Sequence, residues 1–115
     1  MNKEQLKKIL DDHKDWLESD GLKGARAYLT GANLNKADLR GAILADATLT
    51  RADLTGADLA GAILRWANLT GATLTRADLT GADLADANLA GVNLVNAILD
   101  NVMLTGSDLT GAKWK

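Results

Sequence analysis

The chain has 115 residues, with one histidine, His13, and no cysteine. Without cysteine there is no disulfide, thiolate metal site or cysteine nucleophile. A general base would have to be His13 or a carboxylate. His13 lies in NKEQLKKILDDHKDWLES, where Leu6, Ile9, Leu10, His13 and Leu17 recur at helical spacing. A histidine on that apolar stripe is expected to pack as a structural residue rather than act in a cleft. Carboxylates are plentiful, but a regular repeat explains their number. No catalytic residue, metal cluster or cofactor motif emerges, and the chain reads as non-enzymatic.

The element that must position every side chain after residue 26 is a repeat of five. Seventeen leucines run in unbroken phase from Leu29 to Leu109, and Trp114 takes the next position. Two residues before these eighteen positions stands Ala in fifteen cases, the exceptions being Val92, Val102 and Ser107. Asp or Asn most often sits between the pair, as in ADLTG and ANLTG. On an α-helix a period of five would spiral the leucines round every face. On a straight strand it would send them to alternate faces. Either would leave leucines in water, at about 1.5–3 kcal/mol each. The chain must therefore turn once per pentad, with Ala and Leu inward. Gly ends nine of the units and suits the corners. Stacked coils pair about 4.7–4.9 Å apart. The expected fold is an all-β solenoid, whose narrow bore accounts for the absence of Phe.

The amphipathic N-terminal segment is expected to form an α-helical cap over residues 1–25, with the rod spanning 26–115. Asn2 and Gln5 can form a capping box, and Gly21 is the expected stop. Lys8/Asp12 and Lys14/Glu18 stand at i, i+4. Such a lid would cover Leu29, Leu34 and the open backbone edge of the first coil. At the other end, Trp114 is expected to plug the last coil, with Lys113 and Lys115 opposing end-to-end stacking. The formal charge of −2 does not point to nucleic acid. No secretory h-region is visible, and no apolar run approaches the roughly 18 residues of a membrane span. A cytoplasmic location is expected.

The run ANLNKADLRGAILADATLTRADLTGADLAGAILRWANLTGATL resembles the pentapeptide-repeat family, whose consensus is A-(D/N)-L-X-X. The resemblance covers residues 27–115 and extends to small cyanobacterial members with a helical N-terminal segment. It implies a right-handed, four-sided β-helix with four pentads per coil, hence about 4.5 coils and a stack roughly 20 Å tall. Residues 20 apart would then stack. Asp38, Asp58 and Asp78 would form a column able to attract Ca²⁺, with Lys36 and Arg76 expected to offset its charge. The fourteen residues ATLTRADLTGADLA, at 47–60 and again at 72–85, stand 25 apart. They would fall on adjacent walls, as duplicated scaffold rather than a duplicated site.

Some family members inhibit or protect DNA gyrase by imitating DNA. Residues 26–115 carry nine Asp against eight Lys and Arg, a net of −1. DNA carries one charge per about 1.7 Å, so a rod of roughly 20 Å would need on the order of ten uncompensated charges. DNA mimicry is thus the disfavoured alternative to a structural or protein-interaction module. Candidate contact residues lie where the repeat is broken. Ile43, Ile63 and Met103 occupy the Asp/Asn slot and would share one column, interrupted by Asp83. Trp66, outward beside Ile63 with Arg65 adjacent, has the composition of an interface hot spot. An unidentified protein partner is expected at Ile43, Ile63, Arg65, Trp66 and Met103, unless the N-terminal helix covers them. Val92 and Val102 are expected inward. Val95 and Ile98, expected outward, could support a weak homodimer; otherwise the chain is a monomer.

Overall fold

Asn2 starts the one helix, α1, which runs over Lys3–Glu18 in the computed structural model of residues 1–115. Its Oδ1 accepts the Gln5 N–H at 2.8 Å, and Gln5 Oε1 accepts the Asn2 N–H at 3.0 Å. That capping box satisfies two of the donors a helix start leaves open. At the far end Ser19 is the C-cap, and the chain turns left-handed at Asp20 (φ 55°) and Gly21 (φ 85°). Gly21 N–H then donates to Trp16 O at 2.8 Å. The stop expected at Gly21 thus begins one residue earlier, on an aspartate that tolerates this conformation. Lys8–Asp12 (3.0 Å) and Lys14–Glu18 (3.9 Å) pair as expected, joined by Lys7–Asp11 (2.6 Å). All three lie at the surface, where solvent screening leaves each pair a small contribution.

From Tyr28 onward the chain pairs with itself in parallel at a constant spacing of 20 residues, from Tyr28↔Thr48 to Asn93↔Lys113. Four pentads complete each circuit, so the rod has four walls. We number them by the pentads that begin at Ala27, Ala32, Ala37 and Ala42. Leucines from Leu29 to Leu89 are at most 2% exposed, and with the inward alanines they form one continuous core. Leu6, Ile9 and Leu10 of α1 pack against its lower end.

Backbone accounting explains the repeat. In the pentad 52–56, Leu54 N–H donates to Thr73 O (2.7 Å) and Gly56 N–H to Thr75 O (2.9 Å) in the next coil. Asp53 N–H donates back to Ala32 O at 2.9 Å, and Ala57 N–H closes the corner on Leu54 O at 3.0 Å. One donor is left over, the Thr55 N–H, and the Asp53 carboxylate accepts it at 3.0 Å. The same bond recurs at Asn33, Asp38, Asp58, Asn68, Asp78, Asp83, Asn88, Asn93 and Asp108. Asp or Asn sits at the second position because it fills this last vacancy, an Asx-turn bond. The fifth position is left-handed in every full pentad, which is why Gly dominates it.

The upper end is less closed than expected. Leu99, Leu104 and Leu109 are half-buried, and Trp114, expected to plug the bore, is 45% exposed. Its position has the leucine phase, but the ring is not among the residues that pack against the core. Val92 is fully buried, Val102 and Val95 are half-buried, and Ile98 faces outward.

Candidate interaction surface on the fourth wall

His13 is completely buried and is committed to the scaffold. Its Nδ1 accepts the Ala27 N–H at 2.9 Å, so the proton resides on Nε2, which donates to Ala45 O at 2.7 Å. The ring stacks on Trp16 with centroids 5.6 Å apart. Burial is the main influence on its pKa, which lies below the ordinary 6.5. With both nitrogens occupied, the imidazole has no free atom for catalysis.

The acidic column exists: Asp38 bridges Asp58, and Asp58 bridges Asp78, with Ile98 above them. Its charge is offset by a residue other than those expected. Arg40 places Nη2 2.9 Å from Asp38 and Nε 3.7 Å from Asp58. Lys36 and Arg76 make no ion pair with the column, because they sit on the preceding corner, where they flank Gly56. Arg40 shares the pentad of Asp38, two residues on, and its side-chain hydrogen bonds hold the Asp38 carboxyl at about 2. Asp53, Asp78 and Asp108 are also lowered, first by the hydroxyls of Thr55, Thr80 and Thr110. These carboxylates are spent on turns and on one arginine.

The fourth wall differs. Ile43, Ile63, Asp83 and Met103 stack in consecutive coils. Ile43 (37% exposed), Ile63 (38%) and Met103 (49%) stay open to solvent, so α1 does not cover them. None supplies the Asx oxygen, so the N–H groups of Ala45, Arg65 and Thr105 forgo a bond worth about 1 kcal/mol each. Trp66, 54% exposed, occupies a corner at φ 59°. A bulky aromatic rarely adopts that conformation, which costs about 1–2 kcal/mol. The Arg65 guanidinium lies 5.1 Å from the centroid of the Trp66 ring, and its Nε is 3.8 Å from Asp83. All five residues expected at the site therefore lie on this wall or its corner, with Met103 separated from the rest by Asp83. Asp46 and Asp86 precede and follow Trp66 by one coil on the same corner, a placement readable from the 20-residue spacing.

The two copies of the fourteen-residue stretch do not stack. Asp53 bridges Asn33 and Thr73, whereas Asp78 bridges Asp58 and Ile98.

Comparison with known proteins agrees with this architecture. A family model described as pentapeptide repeats matches in eight copies, over residues 25–61, 47–84 and 77–113. The chain is similar to Rfr23, a pentapeptide repeat protein from the cyanobacterium Cyanothece 51142. The two are 42% identical with a TM-score of 0.76, over 78% of this chain and 62% of Rfr23. It is also similar to alr5209 from Nostoc PCC 7120, at 28% identity and a TM-score of 0.69, over 91% of this chain and 93% of alr5209. AT2G44920, from the thylakoid lumen of Arabidopsis thaliana, is 33% identical with a TM-score of 0.51, over 76% of this chain and 57% of that protein. No curated protein matches the chain. No helix is long and apolar enough to cross a membrane.

Proposed function

The chain belongs to the pentapeptide-repeat family, and from that premise we propose that it is a non-enzymatic scaffold that binds a protein partner through its fourth wall. The contact residues are Ile43, Ile63, Arg65, Trp66 and Met103. Members of the family form right-handed β-helices. We read residues 26–115 as such a rod of about 4.5 coils, at four pentads per coil, and residues 1–25 as its cap.

One observation carries this reading. Trp66 keeps an exposed ring in a strained left-handed corner, stacked with Arg65, beside isoleucines that forgo the Asx bond. Folding favours Gly at that corner and Asp or Asn in that slot, so stability does not explain these choices. Exposed Trp and Arg beside apolar neighbours are the groups that dominate binding energy at interfaces. The rod's net charge of −1 and the pairing of Arg40 with two column aspartates weigh against DNA mimicry.

The test is quantitative affinity capture from the native host with wild type, Trp66→Ala and Asn88→Ala. Asn88 lies on the first wall and serves as the control. A partner retained by wild type and Asn88→Ala but lost with Trp66→Ala supports the assignment. A partner set indifferent to Trp66 refutes it.

A further inference from the structure

The first coil lacks the partners that every later coil finds below it, and His13 stands in for two of them. In later pentads the inward Ala donates its N–H to the preceding Leu, as Ala32 does to Leu29 O at 3.0 Å. Ala27 has no such leucine before it, and its N–H donates to His13 Nδ1 at 2.9 Å. Carbonyls at the fourth position accept from the coil below, as Thr50 O does from Gly31 N–H at 2.9 Å. Ala45 has no coil below, and its carbonyl accepts from His13 Nε2 at 2.7 Å. A single neutral imidazole thus serves one orphaned donor and one orphaned acceptor at once.

We propose that His13 is a pH-operated latch: protonation releases α1 from the first coil while the rod stays folded. An imidazolium carries hydrogen on both nitrogens. Nδ1 would then turn a donor toward the Ala27 N–H, and both groups are shut away from water. Nothing in the ring's surroundings can absorb that change without movement. Trp16 stacks on it from its own helix, and Asp46 and Arg26, the charged groups acting on it from the rod side, oppose each other. Burial, the largest influence, lowers the pKa; the Ala45 bond and Asp46 raise it, and Arg26 lowers it.

Release would be local because α1 has few other holds. Its apolar grip is Leu6, with Ile9 and Leu10 half-buried. Its remaining polar contacts are Met1 N to Asn33 O at 3.4 Å, Ala25 N–H to Asp12 O at 3.1 Å and the Arg26 guanidinium 5.9 Å from the centroid of the Trp16 ring. The leucine columns from Leu49 upward do not depend on it. An element held by so few contacts opens below the global unfolding free energy. The linkage sign is definite: His13 is depressed in the folded state, so its contribution is complete above about 6.5. It is lost as pH falls through the lower folded value.

Amide exchange on the full chain between pH 8 and 5, corrected for intrinsic rates, tests this alongside NMR titration of His13. Protection over residues 3–18 should fall at least tenfold with the His13 titration, while protection at Leu49–Leu89 holds. His13→Asn should abolish the pH dependence of that protection, whatever its level. The latch is overturned if α1 stays protected while His13 titrates, if rod and helix lose protection together, or if His13→Asn keeps the dependence.

Discussion

The Arg65 guanidinium lies 5.1 Å from the centroid of the Trp66 ring, on a corner where the Trp66 backbone is left-handed. Two neighbouring residues thus combine a cation–π contact, an exposed aromatic surface and backbone strain. The contact offers about 0.5–1 kcal/mol at an exposed site. A left-handed non-Gly residue costs about 1–2 kcal/mol. The pair therefore adds no clear stability to the rod, and its placement makes sense as a surface presented to another molecule.

The strain can be isolated at Trp66 itself. Trp66→Gly and Trp66→Ala both remove the ring, but only glycine relaxes the corner. The Gly variant should be more stable than the Ala variant by about 1 kcal/mol in urea denaturation. Equal stabilities would mean that the strain is no larger than glycine's extra chain entropy, and a more stable Ala variant would mean that the corner is unstrained.

The vacant Asx slot can be filled in the same manner. Asn68 Oδ1 accepts Thr70 N–H at 3.0 Å and its hydroxyl at 2.6 Å, so Asn68→Ala should cost about 1–2 kcal/mol. At position 63 the comparison runs the other way. Ile63→Asn should be more stable than Ile63→Ala by about 1 kcal/mol, because its oxygen reaches the Arg65 N–H. Matching melting curves for those two variants would contradict the role assigned to the second position.

Acid stability follows from the carboxylates. Asp38 is held at about 2 by Arg40, and Asp53, Asp78 and Asp108 are lowered by threonine hydroxyls. Their folded values lie below the ordinary 3.8, so their stabilisation is complete above that pH. It is lost as pH falls through the folded values, down to about 2 for Asp38. Equilibrium denaturation between pH 5 and 2 should show stability falling with acid. The slope should flatten when all four are changed to Asn. An unchanged slope would place acid sensitivity elsewhere.

Much of this was legible in the sequence, because a five-residue phase maps directly onto inward and outward positions. It placed the buried Ala and Leu columns, and with the family's four pentads per coil it aligned Ile43 with Ile63 and Asp38 with Asp58. What it could not show were contacts that depend on backbone direction. The Asx bonds become visible only once each N–H is assigned a partner. Arg40 rather than Lys36 pairs with Asp38 because the fourth and fifth positions diverge at the corner. His13 was expected to be structural from its stripe, but its bonds to Ala27 and Ala45 arise from residues 14 and 32 positions away. Trp114 kept the leucine phase without reaching leucine's burial.

The most direct test of the binding surface is site-specific photocross-linking in the native host. A benzophenone side chain would be placed at Met103 on the fourth wall or at Asn88 on the first. The expected result is a discrete protein adduct from position 103 that disappears when Trp66→Ala is added, with none from position 88. Adducts of equal yield from both positions, or an adduct from 103 that survives loss of Trp66, would contradict the account.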